Sequence, residues 1–342
     1  MRRMVYTSIS RGADSILFFR WRTARFGAEE YWCGVLDHDN VPRRRLHEAA
    51  QLGAELERVG PEVLGTYVKI SAGVAAGDYD AAEAHESLPF GLPGPRQTAQ
   101  SVWRSLFRRG FPVGCVHPAD DLSDLKVYFL PHWEVVDPAW LPNLGAFVEQ
   151  GGLLVIGARS ATRGLDNAVT AETLPGVLRG LTGMTVEEYG HQNHPESRPL
   201  AIDFAGNRVQ SEYWYEVLQP EGDTSVLARW QGRHLSGQPA ATLRHVGRGV
   251  VVYVGTYLTS QVMAGMWPML QPLCGLQPLM PHMPLGMEVT LRTDGKKNLW
   301  FLINSTGQEV SVPVPSGTDL VSQRSLSGSL ILPNNGVSVI KD

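Results

Sequence analysis

The sequence predicts an α/β chain: a parallel sheet through its middle, a lone strand and helix ahead of it, and a small antiparallel β domain behind. Three observations predict this. Short, continuously apolar runs, among them VYFLP at Val127–Pro131, LLVIG at Leu153–Gly157 and the GRGVVVYVGTY run at Gly247–Tyr257, alternate with stretches of helical period, the pattern of βαβ units. After Pro281 the runs shorten, alternate apolar with polar residues, and are separated by Asp-Gly, Ser-Thr-Gly, Pro-Ser-Gly and Asn-Asn-Gly turn signals. The 342 residues, 43% hydrophobic and 19% charged, are enough for two or three cores and exclude disorder over most of the chain.

In chain order, Ser15–Trp21 (SILFFRW) is continuously apolar and rich in aromatics, which predicts a strand buried on both faces. Arg43–Val59 follows with Leu46, Ala49, Ala50, Leu52 and Leu56 at helical spacing, and Pro61 is expected to break that helix. Such a strand–loop–helix lacks neighbours to cover it, so the first 60 or so residues are expected to dock on the middle of the chain, to pair with another subunit, or to be mobile. Val68–Ala76 reads as a strand, and Thr98–Arg109 as a helix with Val102, Leu106 and Phe107 on one face. Phe111–Val116 and Val127–Pro131 read as strands, Pro138–Gln150 as a helix closed by Gly151-Gly152, and Leu153–Gly157 as the next strand. Glu172–Gly183 and Gly247–Tyr257 are expected to continue the sheet, and Met263–Cys274 to close it with a helix. The terminal domain should use Glu288–Arg292, Leu299–Asn304, Glu309–Val314 and Gly336–Ile340 as strands.

Composition removes several function classes. Thirty Lys and Arg against 34 Asp and Glu give a net charge of −4, which draws the protein neither to nucleic acid nor to an anionic membrane. Three cysteines (Cys33, Cys115, Cys274) make no disulfide framework and no CxxC zinc spacing. No apolar run approaches membrane-spanning length and MRRMVYTSIS has no secretory core, so a cytoplasmic location is expected. Neither GxGxxG nor GxxxxGK[ST] occurs, and Gly91-Leu92-Pro93-Gly94 places a proline where phosphate would need N–H donors. Around Cys115 and Ser160 the flanking glycines of a nucleophile elbow are missing, so the two read as a buried thiol and a loop hydroxyl. His191-x-x-His194 with Glu196 sits in a proline-containing polar stretch, which reads as a solvated loop rather than a metal site. No cofactor and no metal are expected. The one chemically suggestive stretch is Arg20-Trp21-Arg22 followed by Arg25, Glu29, Glu30, Trp32, Asp37, His38 and Asp39. Such a loop suits a sugar, whose ring stacks on an aromatic while its hydroxyls bond carboxylates, and equally suits a merely solvated surface.

At this point the residues resemble a family. RGADSILFFRWRTARFGAEEYWCGVLDHDN (Arg11–Asn40) looks like the final barrel strand and following loop of the glycoside hydrolase family 42 β-galactosidases. GDYDAAEAH (Gly77–His85), the run from Val102 to Pro138, FVEQGGLLVIGARS (Phe147–Ser160), SEYWYEVLQPEGDTSVLARW (Ser211–Trp230) and GRGVVVYVGTY resemble the family's middle domain. LWFLINSTGQEVSVPVP (Leu299–Pro315) and LILPNNGVSVI (Leu330–Ile340) resemble its C-terminal β domain. The resemblance implies a remnant of a (β/α)8 barrel over 1–62, its last strand and helix. It implies a class I glutamine amidotransferase-like (flavodoxin-like) trimerisation domain over 63–280 and an antiparallel β domain over 281–342.

The resemblance also implies what these residues lack. Retaining hydrolysis needs one carboxyl to protonate the leaving oxygen and another to attack the anomeric carbon. The family's acid/base and nucleophilic Glu lie on barrel strands with no counterpart here, so no catalytic residue is assigned. Glu29 matches a position that contacts galactose hydroxyls, and Trp32 lies in the same stretch, so both are candidate substrate-binding residues. The implied function is a non-catalytic, trimer-forming portion of a β-galactosidase, truncated or completed by a separately encoded barrel half. The alternative is a compact or split glycosidase acting on β-galactosides with Glu29 in the sugar site. Trp103, Trp133, Trp140 and Tyr213-Trp214-Tyr215 are candidates for subunit contacts, although core filling explains them as well.

Overall fold

The structure, a computed structural model, describes residues 1–86, 91–192 and 200–342. The chain divides into two compact units, one built from 1–69, 108–110 and 278–342 and the other from 70–107 and 111–277.

The first unit starts with α1 (Arg2–Ser10), for which the sequence reading made no provision. Its Val5, Tyr6 and Ile9 are buried on one face, together with Leu52, Val59 and Val63 of α2 (Arg44–Val63). Pro61 does not break α2: it sits in the last turn, where the helix runs on to the buried Val63 and closes with Leu64 N donating to the Gly60 carbonyl. A two-residue strand, β1 (Tyr67–Val68), leaves this unit.

The second unit is an α/β sandwich. Five parallel strands, β2 (Ala72–Val74), β3 (Val113–Cys115), β4 (Val127–Leu130), β5 (Leu153–Gly157) and β12 (Gly249–Val254), lie side by side in the order β3-β2-β4-β5-β12. Their runs are apolar throughout because both faces are covered. Val127, Phe129, Leu153, Val155, Val250 and Val252 join a core with α4 (Pro95–Phe107) and α7 (Ser260–Cys274). Tyr128, Leu130, Leu154, Ile156, Val251 and Tyr253 point the other way, onto Leu144, Phe147 and Val148 of α5 (Leu141–Glu149). Gly157 lets β5 end hard against β4, since a Cβ there would lie 1.9 Å from the Pro131 carbonyl oxygen.

Past β12 the sheet turns antiparallel through β11 (Pro239–Val246), β10 (Ser225–Gln231), β7 (Ala201–Phe204) and β8 (Asn207–Gln210). A separate hairpin pairs β6 (Met184–His191) with β9 (Trp214–Pro220). Glu172–Gly183 does not continue the sheet; it holds turns and the short α6 (Arg179–Thr182), and Gly183 in the left-handed region leads into β6. The remaining helix, α3 (Tyr79–Glu86), begins where Asp78 Oδ1 accepts the amide of Ala81. Of the interface candidates, Trp133 and Trp214 are buried, and Trp103, Trp140, Tyr213 and Tyr215 are half-buried, so core filling accounts for the first two.

The chain then returns to the first unit. Strands β13 (Met287–Thr293), β14 (Asn298–Asn304), β15 (Val310–Asp319), β16 (Arg324–Leu332) and β17 (Val337–Lys341) form an antiparallel sheet with β1, in the order β1-β13-β14-β17-β15-β16. One face carries Leu299, Phe301, Ile303, Val337 and Val339 against α1 and α2. The N-terminal helices therefore dock on the C-terminal sheet and not on the middle of the chain. Arg292, buried on β13, fixes the join. It donates to the carbonyls of Ile9 (2.8 Å), Ala13 (3.2 Å) and Thr66 (2.8 Å), to Thr66 Oγ1 (2.9 Å) and to Asp14 (2.7 Å). Among the described residues no helix is long and apolar enough to cross a membrane.

Candidate functional site

The suggestive stretch, residues 14–43, is an arm of the first unit. Ser15–Trp21 forms no strand and pairs with none of the described sheets, and it bends at Phe19 and Trp21. Its alternation is nevertheless that of a strand. Ile16 and Phe18 pack on the core made by α1, α2 and the sheet, while Leu17, Phe19 and Trp21 face outward at 95%, 70% and 64% exposure. The expected burial on both faces is thus realised on one only. Beyond Trp21 the arm folds back. Val35 N and Leu36 N donate to the carbonyls of Arg20 and Trp21 (2.8 Å each), and Thr23 N donates to Leu36 O (3.0 Å). Gly34 is required for this, since a Cβ would stand 2.7 Å from the backbone of Arg22 and Thr23.

The fold-back brings the two candidate sugar-binding residues beside the outward aromatic row. Glu29 is ion-paired with Arg20, whose guanidinium lies 4.7 Å over the Phe19 ring. The Trp32 ring meets Phe19 edge-on, with centroids 6.5 Å apart. The other acidic candidates are held by arginines: Asp37 by Arg45, and Asp39 by Arg43, whose bonds keep the Asp39 carboxyl well below the usual range. His38 Nε2 meets the Glu30 carbonyl at 2.6 Å. Glu29, Asp37 and Asp39 are each ion-paired with a guanidinium, of Arg20, Arg45 and Arg43 in turn, rather than engaged with one another.

The second unit carries a different set of polar residues at the carboxyl ends of its parallel strands. There the strand order reverses between β3 and β4 about β2, the crevice where open α/β sheets place ligands. A cavity of about 750 Å³ opens there, lined among others by Asp78, Arg96, Trp103, Arg104, Cys115 and Trp133. Cys115 is exposed, not the buried thiol expected, and the adjoining protein pushes its pKa up. Ser160 is a buried pin: its Oγ accepts from Trp133 N (3.2 Å) and donates to Gly157 O (2.9 Å). Deeper in, His132 and Glu134 follow β4, Arg159 follows β5, and His85 comes from α3. Burial, with Arg159 nearby, pushes the His132 pKa down to about 3. Arg159 donates to Glu134, and its guanidinium lies 4.8 Å over the Trp214 ring. Glu216, fully buried, accepts from Arg159 N (3.0 Å), Trp214 Nε1 (3.2 Å) and Tyr253 Oη (2.8 Å); burial still raises its pKa. Sequence reasoning missed this cluster. Its one local signal is His132-x-Glu134 directly after an apolar strand, where alternate residues of an extended segment share a side. Of the other pattern weighed, His194 and Glu196 lie outside the described residues.

Comparison with known proteins places these observations. A model described as the β-galactosidase trimerisation domain matches residues 47–276. One described as β-galactosidase matches 1–59, and one described as the β-galactosidase C-terminal domain matches 286–342. A β-galactosidase of a Geobacillus species is 28% identical over 336 residues, covering 96% of this chain and 48% of that protein. One from an Arthrobacter species is 29% identical over 335 residues, covering 96% and 46%. In fold, the chain is similar to a solved β-galactosidase of Bacillus circulans sp. alkalophilus (TM-score 0.92, 24% identity, 99% of this chain and 51% of that one). It is likewise similar to a family 42 β-galactosidase from G. stearothermophilus (TM-score 0.90, 23% identity, 100% and 51%). The chain spans about half the length of the curated relatives it matches.

Proposed function

The chain belongs to the glycoside hydrolase family 42 β-galactosidases, and from that premise we propose that its residues assemble the enzyme and close its sugar site without performing the hydrolysis. The observation that carries this is the arm. Leu17, Phe19 and Trp21, with Phe26 and Tyr31, form an uncovered apolar surface of a kind that soluble proteins bury against a partner. In this reading, a catalytic (β/α)8 barrel supplied from outside these residues covers that surface, with 1–62 as its last strand and helix. Glu29, oriented by Arg20, accepts hydrogen bonds from galactose hydroxyls, and Trp32 lies against the face of the ring. The pair of carboxyls a retaining hydrolase needs, about 5–5.5 Å apart, comes from the covering barrel.

The middle domain's part is assembly. Its parallel order, with the first strand between the second and third, supports an amidotransferase-like (flavodoxin-like) reading, and the trimerisation model it matches supports a homotrimer. The test is hydrolysis of an aryl β-galactoside by the purified chain beside Glu29→Gln, with mass by light scattering. No turnover from either and a trimeric mass are expected. Turnover by the chain alone, abolished in Glu29→Gln, overturns the reading and makes Glu29 a catalytic residue.

A further inference from the structure

Three buried acceptor atoms converge at the carboxyl end of β4 with nothing to accept from. His85 Nδ1, His132 Nε2 and Glu134 Oε2 are each enclosed and without a hydrogen-bond partner among the described residues. The ligand-capable atoms of these three side chains lie within 4.8 Å of one another. His132 and Glu134 are essentially fully buried, at 1% and 0% exposure. Leaving one buried polar atom unpaired is costly, and three facing one another call for an occupant that offers positive charge to all of them.

We propose that His85, His132 and Glu134 bind a divalent transition-metal ion of the zinc class, which ties α3 to the segment following β4. Two imidazoles and a carboxylate are a donor set that suits such an ion and not magnesium or calcium, which take oxygen ligands. The surroundings orient the ligands as metal sites do. His132 Nδ1 faces the Ala158 carbonyl at 3.3 Å; a carbonyl can only accept, so the proton sits on Nδ1 and Nε2 presents its lone pair inward. Glu134 is gripped through Oε1 by Arg159, which leaves Oε2 turned to the histidines. The Tyr257 ring lies against His132 with centroids 4.8 Å apart, and the two imidazoles meet edge-on at 5.7 Å. A tetrahedral ion with bonds of about 2.0–2.1 Å sets its ligands roughly 3.4 Å apart, so side-chain shifts of about an ångström close the site.

One feature works against the ion. Arg163 Nε stands 3.7 Å from Glu134 Oε2, and Arg159 adds a second guanidinium. The competing account is therefore that the two arginines neutralise Glu134 with no ion present.

The test takes the full chain, strips it with a chelator, and titrates it with Co2+ and then Zn2+. One Co2+ per chain with the strong visible absorption of a four-coordinate ion is expected, displaced by Zn2+. His85→Ala should weaken binding on the order of 100-fold, as loss of a ligand does at least as much as loss of a supporting contact. Glu134→Gln keeps the shape and the Arg159 contact, so it should weaken binding while circular dichroism stays unchanged. Metal removal should also speed amide exchange in α3. Uptake that is absent, or equal in the parent and both variants, overturns the proposal and leaves Glu134 to its arginines.

Discussion

Replacing Arg292 by Met tests whether one buried side chain fixes the base of the arm. The guanidinium reaches five acceptors: the carbonyls of Ile9, Ala13 and Thr66, Thr66 Oγ1 and Asp14. The Asp14 side chain is 65% exposed, so the ion pair itself is screened and counts for little. The cost lies in the buried acceptors. Thr66 O loses the donor Arg292 supplies in an enclosed site, Ile9 O keeps only Gly12 N and Thr66 Oγ1 keeps only its own donation to the Val63 carbonyl, and a buried group left unsatisfied costs about 1–3 kcal/mol. Met restores the stem's packing but none of the donors. Relaxation and water entry recover part, so about 3 kcal/mol of local stability should disappear. Amide exchange reads this directly: protection of α1 should fall by roughly 100-fold, at about 1.4 kcal/mol per factor of ten, with the β4–β5 region unchanged. Arg292→Lys should recover only part, since one ammonium cannot reach all five acceptors. If α1 exchanges at the parent rate in Arg292→Met, the clamp is incidental and the helix is held by Val5, Tyr6 and Ile9 alone.

Two further outcomes follow from named contacts. Glu62 is bonded by Lys341 (2.8 Å) and Lys297 (3.1 Å), which hold its pKa below the ordinary 4.5. A lowered carboxyl stabilises the fold above its ordinary value and loses that contribution as pH falls through the lowered one. The stability gap between parent and Glu62→Gln, from denaturant melts, should therefore be present at neutral pH and close as pH drops below 4.5; a gap that widens in acid contradicts the assignment. Gly34→Ala should open the fold-back, because the added methyl meets the backbone of Arg22 and Thr23 at 2.7 Å, and the amides of Thr23, Val35 and Leu36 should lose protection while α1 keeps it.

What was legible in the sequence tracks how local the signal is. VYFLP, LLVIG and GVVVYV are strands because their own residues demand cover on both faces, which α4 supplies through the expected Val102, Leu106 and Phe107 and α5 through Phe147. The four expected terminal strands are also present, bounded by their turn residues. β16 escaped notice because serines and Gly328 interrupt its apolar side, on which Leu326, Leu330 and Leu332 pack against the sheet's second core. α1 was lost for another reason: Val5, Tyr6 and Ile9 make one short stripe, and much of the surface that rewards it lies at the far end of the chain, on β14 and β17. The antiparallel half of the second unit failed on its weak alternation, with bulges in β10 and β6 breaking the period. Glu29 and Trp32 could be singled out only through the family resemblance, and their placement beside Phe19 depends on a fold-back that Gly34 alone announces. The His85, His132 and Glu134 cluster joins two elements nearly 50 residues apart, which no spacing rule detects.

The arm joins two ends of the chain that the sequence reading kept apart. Its two faces have separate obligations. The inward one is met within the chain: Ile16 and Phe18 lie on a core to which α1, α2 and the terminal sheet all contribute, and Arg292 holds the entry to it. The outward one is not met. Covering a large apolar side chain is worth about 1.5–3 kcal/mol, so Leu17, Phe19, Trp21, Phe26 and Tyr31 together represent on the order of 10 kcal/mol before the costs of association. Desolvating Arg20 takes less away than an unpaired cation would, because Glu29 already partners it. On the proposed function, a surface of that value, anchored at its base and carrying its cation prepaired, is where the catalytic barrel would seat. On that same proposal the Arg20–Glu29 ion pair serves twice, partnering the cation on docking and orienting Glu29 toward a sugar hydroxyl, so assembly and substrate recognition would depend on one contact.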